Sequence, residues 1–157
     1  MDRKFWRKDK ISSIVVSIGL AVYVSFLIWR MFFYAYRDVY RVKSSNLEYN
    51  LIPFKTITNF IMHFKSYNLE VLLYNILGNI IVFIPLGLLI SSILKEKKNA
   101  IKTMTVSLLF ILCAETMQLV LRVGVFDIDD IVLNLVGCYI GHIGFRKIRK
   151  YYKGDVS

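Results

Sequence analysis

Glu115, Gln118 and Arg122 recur at i, i+3 and i+7 in an otherwise apolar run, so on a helix they share one face. After a short turn near Gly124, Asp127, Asp130, Asn134, Gly137 and Gly141 fall at i, i+3, i+7, i+10 and i+14, a second single face. Glu115 is the one group of the first set suited to act as an acid or base. Asp127, Asp129 and Asp130 carry oxygen ligands of the kind a divalent cation takes, but no calcium-loop spacing or two-metal pattern accompanies them, so no metal is expected. There is no Ser-His-Asp set, no C-x-x-C, no H-E-x-x-H and no glycine-rich phosphate loop, and no cofactor is expected. Cys113 and Cys138 lie in apolar runs without ligand spacing, and His63 and His142 stand alone in sequence; all four read as structural or surface residues.

The elements that must position these groups are long apolar segments. Of 157 residues 56% are hydrophobic, and the mean hydropathy is +0.52, which places the chain among integral membrane proteins. The expected fold is all-α: a membrane helical bundle forming a single domain over residues 1–157, with spans at about 11–33, 69–94, 101–121 and 128–145. The first of these, about 34 Å long at helical rise, is too long and too bulky at its end for a cleaved signal peptide. In the connection between the first two spans, Ile57, Phe60, Ile61 and Phe64 recur at i, i+3, i+4 and i+7. That pattern fits a short interfacial amphipathic helix, and equally a face that covers the bundle. In the second span Asn75, Gly78, Asn79 and Val82 share a face, and Pro85 is expected to kink the helix.

The net charge of +10 is concentrated between the apolar segments: Arg3 to Lys10, Lys95 to Lys102, and Arg146 to Lys153. Bunched in this way, the basic residues fit anionic lipid headgroups rather than nucleic acid, and membrane lipids are the expected partner. The positive-inside rule then puts both termini in the cytoplasm of a multi-pass plasma-membrane protein. With that topology Asn75, Glu115 and Asn134 each lie about 9 Å in from the outer ends of their helices. Asn75, Asn79, Gln118, Arg122, Asp127, Asp130 and Asn134 are thus candidate ligand-binding residues around Glu115, the candidate catalytic group. The same residues fit a second arrangement, a satisfied network that pins helices together, with the small Gly137 and Gly141 allowing close packing. No internal repeat or nucleotide-binding motif marks a transporter.

E-x-x-Q, then Arg122, then D-x-x-D-x-x-x-N-x-x-G-x-x-x-G resembles the signature of the VanZ-like family of small bacterial membrane proteins. Two earlier pieces agree in order: Asn50-Leu51-Ile52-Pro53-Phe54, and Asn75-Ile76-Leu77-Gly78-Asn79 followed by Phe83-Ile84-Pro85-Leu86-Gly87. Together they cover roughly residues 46 to 144. The resemblance implies a role in the bacterial cell envelope linked to glycopeptide resistance of the teicoplanin type. A lipid-linked cell-wall precursor or a lipoglycopeptide is the partner it implies. A membrane-embedded hydrolase or transferase that uses Glu115 is the alternative.

Overall fold

The computed structural model describes residues 18–34, 49–62, 69–94 and 99–154. The basic leader, the start of the first expected span at 11–17, His63, Phe64 and Lys95 to Lys98 lie outside the described residues. The described residues fall into two compact units, 18–34 in the first and the rest in the second. In the first, helix α1 spans 18–28 and continues as a π-helical turn, Trp29–Tyr34. Within the described residues its apolar stretch is Ile18–Met31.

The second unit contains β1 (Tyr49–Asn50), α2 (Lys55–Met62), α3 (Leu69–Ile93), α4 (Ile101–Val120), β2 (Phe126–Asp127) and α5 (Ile128–Gly154). Among the described residues three helices are long and apolar enough to cross a membrane: Asn75–Ile93, Ile101–Val120 and Ile128–Tyr151. The starts of α3, α4 and α5 coincide with the expected spans, because each apolar run begins there. The end of α5 does not: the helix continues past Phe145 through the basic tail, whose Arg, Lys and Tyr residues tolerate helix well. Pro85 lies inside α3 and removes the helical donor to the Ile81 carbonyl.

The expected all-α architecture also lacks one feature that is present. β1 and β2 pair in parallel, Tyr49 with Phe126 and Asn50 with Asp127, which ties the segment before α2 to the turn before α5. Two-residue strands have no periodicity to detect.

Burial is inverted relative to a water-soluble bundle. Leu77, Ile81, Leu109, Val120, Val132 and Val136 are exposed, while Ser91, Thr103, Ser107, Asp129, Asn134 and His142 are almost completely buried. An apolar exterior around a partly polar interior is what a lipid environment favours, because buried polar groups can find partners only between helices.

Candidate functional site

The contacts among α3, α4 and α5 fall into a simple register, with α3 and α5 parallel and α4 running against them. Stepping four residues at a time along each helix gives four layers, about 6 Å apart. At one end Asn79 Nδ2 donates to Asp130 Oδ1 at 2.6 Å, and the Glu115 carboxyl lies within reach of the Asp130 charge. Next the register places Phe83, Ile111 and Asn134, all buried. In the third layer Gly87 meets the backbone of Cys138, and Ser107 lies beside the Cys138 thiol. In the fourth, Ser91 Oγ is 3.0 Å from His142 Nδ1 and 3.3 Å from Thr103 Oγ1, and it donates to the Gly87 carbonyl at 2.7 Å.

Glycine makes this register possible. A Cβ at Gly87 would lie 2.0 Å from the Cys138 carbonyl oxygen, one at Gly137 2.2 Å from that of Ile80, and one at Gly141 2.1 Å from that of Ile84. These are backbone atoms, so a side chain could enter only if α3 and α5 moved apart. The G-x-x-x-G of α5 therefore packs on α3, with Gly87 returning the contact.

Glu115 is only 2% exposed. One side of its carboxylate accepts the Asp127 backbone N–H, and Oε2 has no hydrogen-bond partner among the described residues. Asn134, one layer deeper and also 2% exposed, has its Oδ1 in the same condition. Asn134 Oδ1 is an acceptor that lacks a donor, whereas Glu115 Oε2 accepts as a carboxylate and donates as the protonated acid. A buried acceptor without a donor costs about 1–3 kcal/mol, which makes this end of the interior a place for water or for a ligand's hydroxyl or N–H groups.

Above Glu115 the Asn50–Phe54 segment folds over the start of α5. Asn50 Nδ2 donates to Asp127 Oδ1 at 3.1 Å, and Thr56 Oγ1 donates to Asp127 Oδ2 at 2.6 Å. Asp129, 1% exposed, accepts the backbone N–H groups of Phe54, of Thr56 at 2.8 Å and of Ile57 at 3.2 Å. Those are the otherwise unsatisfied donors at the N-terminus of α2, where a carboxylate is favoured by both hydrogen bonding and the helix dipole.

The expected site residues divide accordingly. Glu115, Asp130, Asn79 and, one layer below, Asn134 come together. Asp127 is 7% exposed and turned to Asn50 and Thr56, so it is engaged in attaching the segment. Gln118 is buried against Gly124, where a Cβ would come within 3.1 Å of its own Cβ. Asn75 is exposed; Asn79, one turn further on, is level with Glu115 instead.

Arg122 does not continue the Glu115 face. α4 ends at Val120, Arg122 adopts a left-handed conformation with φ 54°, and its side chain is exposed. Arg122 N–H bonds to Leu119 O at 3.1 Å and Val123 N–H to Gln118 O at 3.0 Å, the paired bonds of a Schellman C-cap. Glycine is the usual occupant of that position, and arginine there costs about 1 kcal/mol. Arg122→Gly is therefore expected to raise the thermal midpoint of the detergent-solubilised protein; a lower midpoint would show that the guanidinium holds the fold together.

Asn50, Thr56 and Asp129 as a cluster, and Ser91, Thr103 and His142 as another, were not among the expected site residues. The first had a signal in the N-L-I-P-F piece, whose polar Asn50 had no assigned partner. The second had none, since its members come from three helices and meet only through the register.

Comparison with known proteins follows from this geometry. The family model described as VanZ/LLP1 matches residues 18–149. Protein VanZ of Enterococcus faecium is 32% identical over 131 residues, covering 81% of this chain and 71% of that protein. No solved structure matches the chain.

Proposed function

The chain belongs to the VanZ/LLP1 family, and from that premise we propose that it acts at the outer face of a bacterial plasma membrane in resistance to teicoplanin-type glycopeptides. In this reading α1 completes a fourth span, both termini are cytoplasmic by the positive-inside rule, and the Glu115 end of the bundle faces outward. The Asn79–Glu115–Asp130 layer, with Asn134 beneath it, holds part of a lipid-linked cell-wall precursor or of a lipophilic drug. The observation that supports this is the pair of buried oxygens, Glu115 Oε2 and Asn134 Oδ1, that lack hydrogen-bond partners among the described residues. Peptide N–H and sugar hydroxyl groups are donors of the required kind, and both are abundant in cell-wall precursors and glycopeptides.

The test is expression in a susceptible Gram-positive host, with Glu115→Leu and Asn134→Leu beside the unaltered protein. Asn134→Leu replaces an under-satisfied buried polar group with an apolar one of similar size, so its membrane abundance is expected to persist. Glu115→Leu also removes the acceptor of the Asp127 N–H, so its protection is compared with the wild type at matched abundance. Protection against teicoplanin is expected to disappear. Full protection in both variants would contradict the proposal.

A second reading is favoured by the way the Asp127 N–H holds one side of the Glu115 carboxylate and leaves Oε2 open, an arrangement suited to a general acid or base. Glu115→Gln separates the two. General acid–base catalysis requires that it abolish function, typically by 10²–10⁴-fold in rate. A ligand-holding role predicts a smaller change, because the amide still accepts the Asp127 N–H.

A further inference from the structure

We propose that residues 49–62 are a membrane-anchoring element: the turn Leu51–Phe54 and the Ile61–Met62 end of α2 are immersed at the headgroup–acyl boundary, and Asp127 and Asp129 fix them at that depth. Four consecutive residues, Leu51, Ile52, Pro53 and Phe54, are exposed and apolar, and Ile61 and Met62 are 63% and 82% exposed. Of the residues in the helical pattern, Ile57 is half-buried and Ile61 is exposed, so α2 turns apolar side chains outward at its far end.

The backbone of the turn points the same way. Lys55 N–H bonds to Ile52 O at 3.3 Å, and Phe54 takes φ 63° between them. With Pro53 at its second position this resembles a type II turn, whose third position is ordinarily glycine. A bulky side chain with positive φ is a genuine outlier, and glycine would make the turn without strain. Within the protein the Asp129 carboxylate holds the Phe54 N–H, but the ring itself is 58% exposed and gains no packing there, so an anchoring role gives this bulky side chain an apolar phase to enter.

Depth follows from the attachment. The apolar run of α5, residues 128–145, is about 27 Å long at helical rise, close to the ~30 Å hydrocarbon core, so with Arg146 at one boundary the first turn of α5 lies at the other. Asp127 and Asp129 bind the segment at that turn. Val120, Leu121 and Val125, at the same end, are exposed and continue the apolar belt of the spans onto it. Lys55 is exposed and suited to lipid phosphate, while the two acids that touch the segment are buried in hydrogen bonds and do not face anionic headgroups. The inference holds for either orientation of the chain and does not rest on the ligand proposed for Glu115.

The test uses the full chain in vesicles of phosphatidylglycerol and brominated phosphatidylcholine, with Trp6 and Trp29 replaced by phenylalanine. F54W and, separately, I61W then supply the only tryptophan. Both are expected to lose most of their fluorescence to bromines placed near the headgroups, less to bromines deep in the acyl chain, and little to aqueous iodide. Adding Asp129→Asn to F54W is expected to weaken the shallow quenching, because the turn loses its clamp. Strong iodide quenching without bromine quenching in both reporters would place the segment in water, and quenching by neither would show it covered by protein. Either result overturns the proposal.

Discussion

Asp129→Ala is expected to release residues 49–62 from the bundle, at a cost of about 2–4 kcal/mol. The carboxylate accepts three backbone N–H groups, those of Phe54, Thr56 and Ile57, and nothing else among the described residues is bonded to them in its place. Charge-assisted bonds of this kind are individually worth more than neutral ones, although partial exposure lets water recover some of the loss. Asp129→Asn should fall between, since its amide keeps one acceptor oxygen but turns an N–H₂ toward backbone donors. Limited proteolysis between Tyr49 and Met62 is the readout: cleavage should accelerate in the order wild type, Asn, Ala. The three long helices should stay protected, because Asp129 bonds to the segment and not to α3 or α4. Unchanged cleavage in the alanine variant would show that β1–β2 pairing and Asp127 suffice.

Gly87→Ala combined with Gly141→Ala is expected to disrupt the bundle itself. Each new methyl would meet backbone at about half of a normal contact distance, 2.0 Å from Cys138 O and 2.1 Å from Ile84 O. Side-chain rotation cannot relieve a backbone clash, so α3 and α5 must separate. Overpacking typically costs 1–3 kcal/mol per site and more where nothing can yield, so the pair should cost at least about 4 kcal/mol. Separation would also break the Asn79–Asp130 and Ser91–His142 contacts on either side. Membrane abundance and the thermal midpoint in detergent should both fall sharply. Gly144→Ala is the matched control on the same helix, because a Cβ there meets nothing within 4 Å.

The parts of this arrangement visible in the sequence are those with a local period. Apolar runs long enough to span a bilayer mark where α3, α4 and α5 begin, and the spacing of Asp130, Asn134, Gly137 and Gly141 marks the buried side of α5. Helical projection fails where the helix stops: Arg122 is drawn onto the Glu115 face only if α4 is continued past Val120, and the C-cap turns the chain away. It also cannot choose between Asn75 and Asn79, which share a face but lie one turn apart, and only the register against Asp130 decides it. Asp129 illustrates a different limit. A carboxylate in the first turn of a helix normally serves that helix, yet this one satisfies the N-terminus of α2, more than seventy residues earlier. His142 is likewise silent in sequence because Ser91, itself in contact with Thr103, reaches it from another helix.

The proposed function requires the Glu115 layer to be a working site at the outer face and not only a structural joint. Teicoplanin and vancomycin susceptibility, measured with membrane abundance in the same cells expressing the wild type or Glu115→Leu, tests this most directly. The wild type should raise tolerance to teicoplanin well above any effect on vancomycin, and Glu115→Leu should abolish that difference at matched abundance. Equal shifts for the two drugs, or full teicoplanin tolerance in the Glu115→Leu cells, would contradict it.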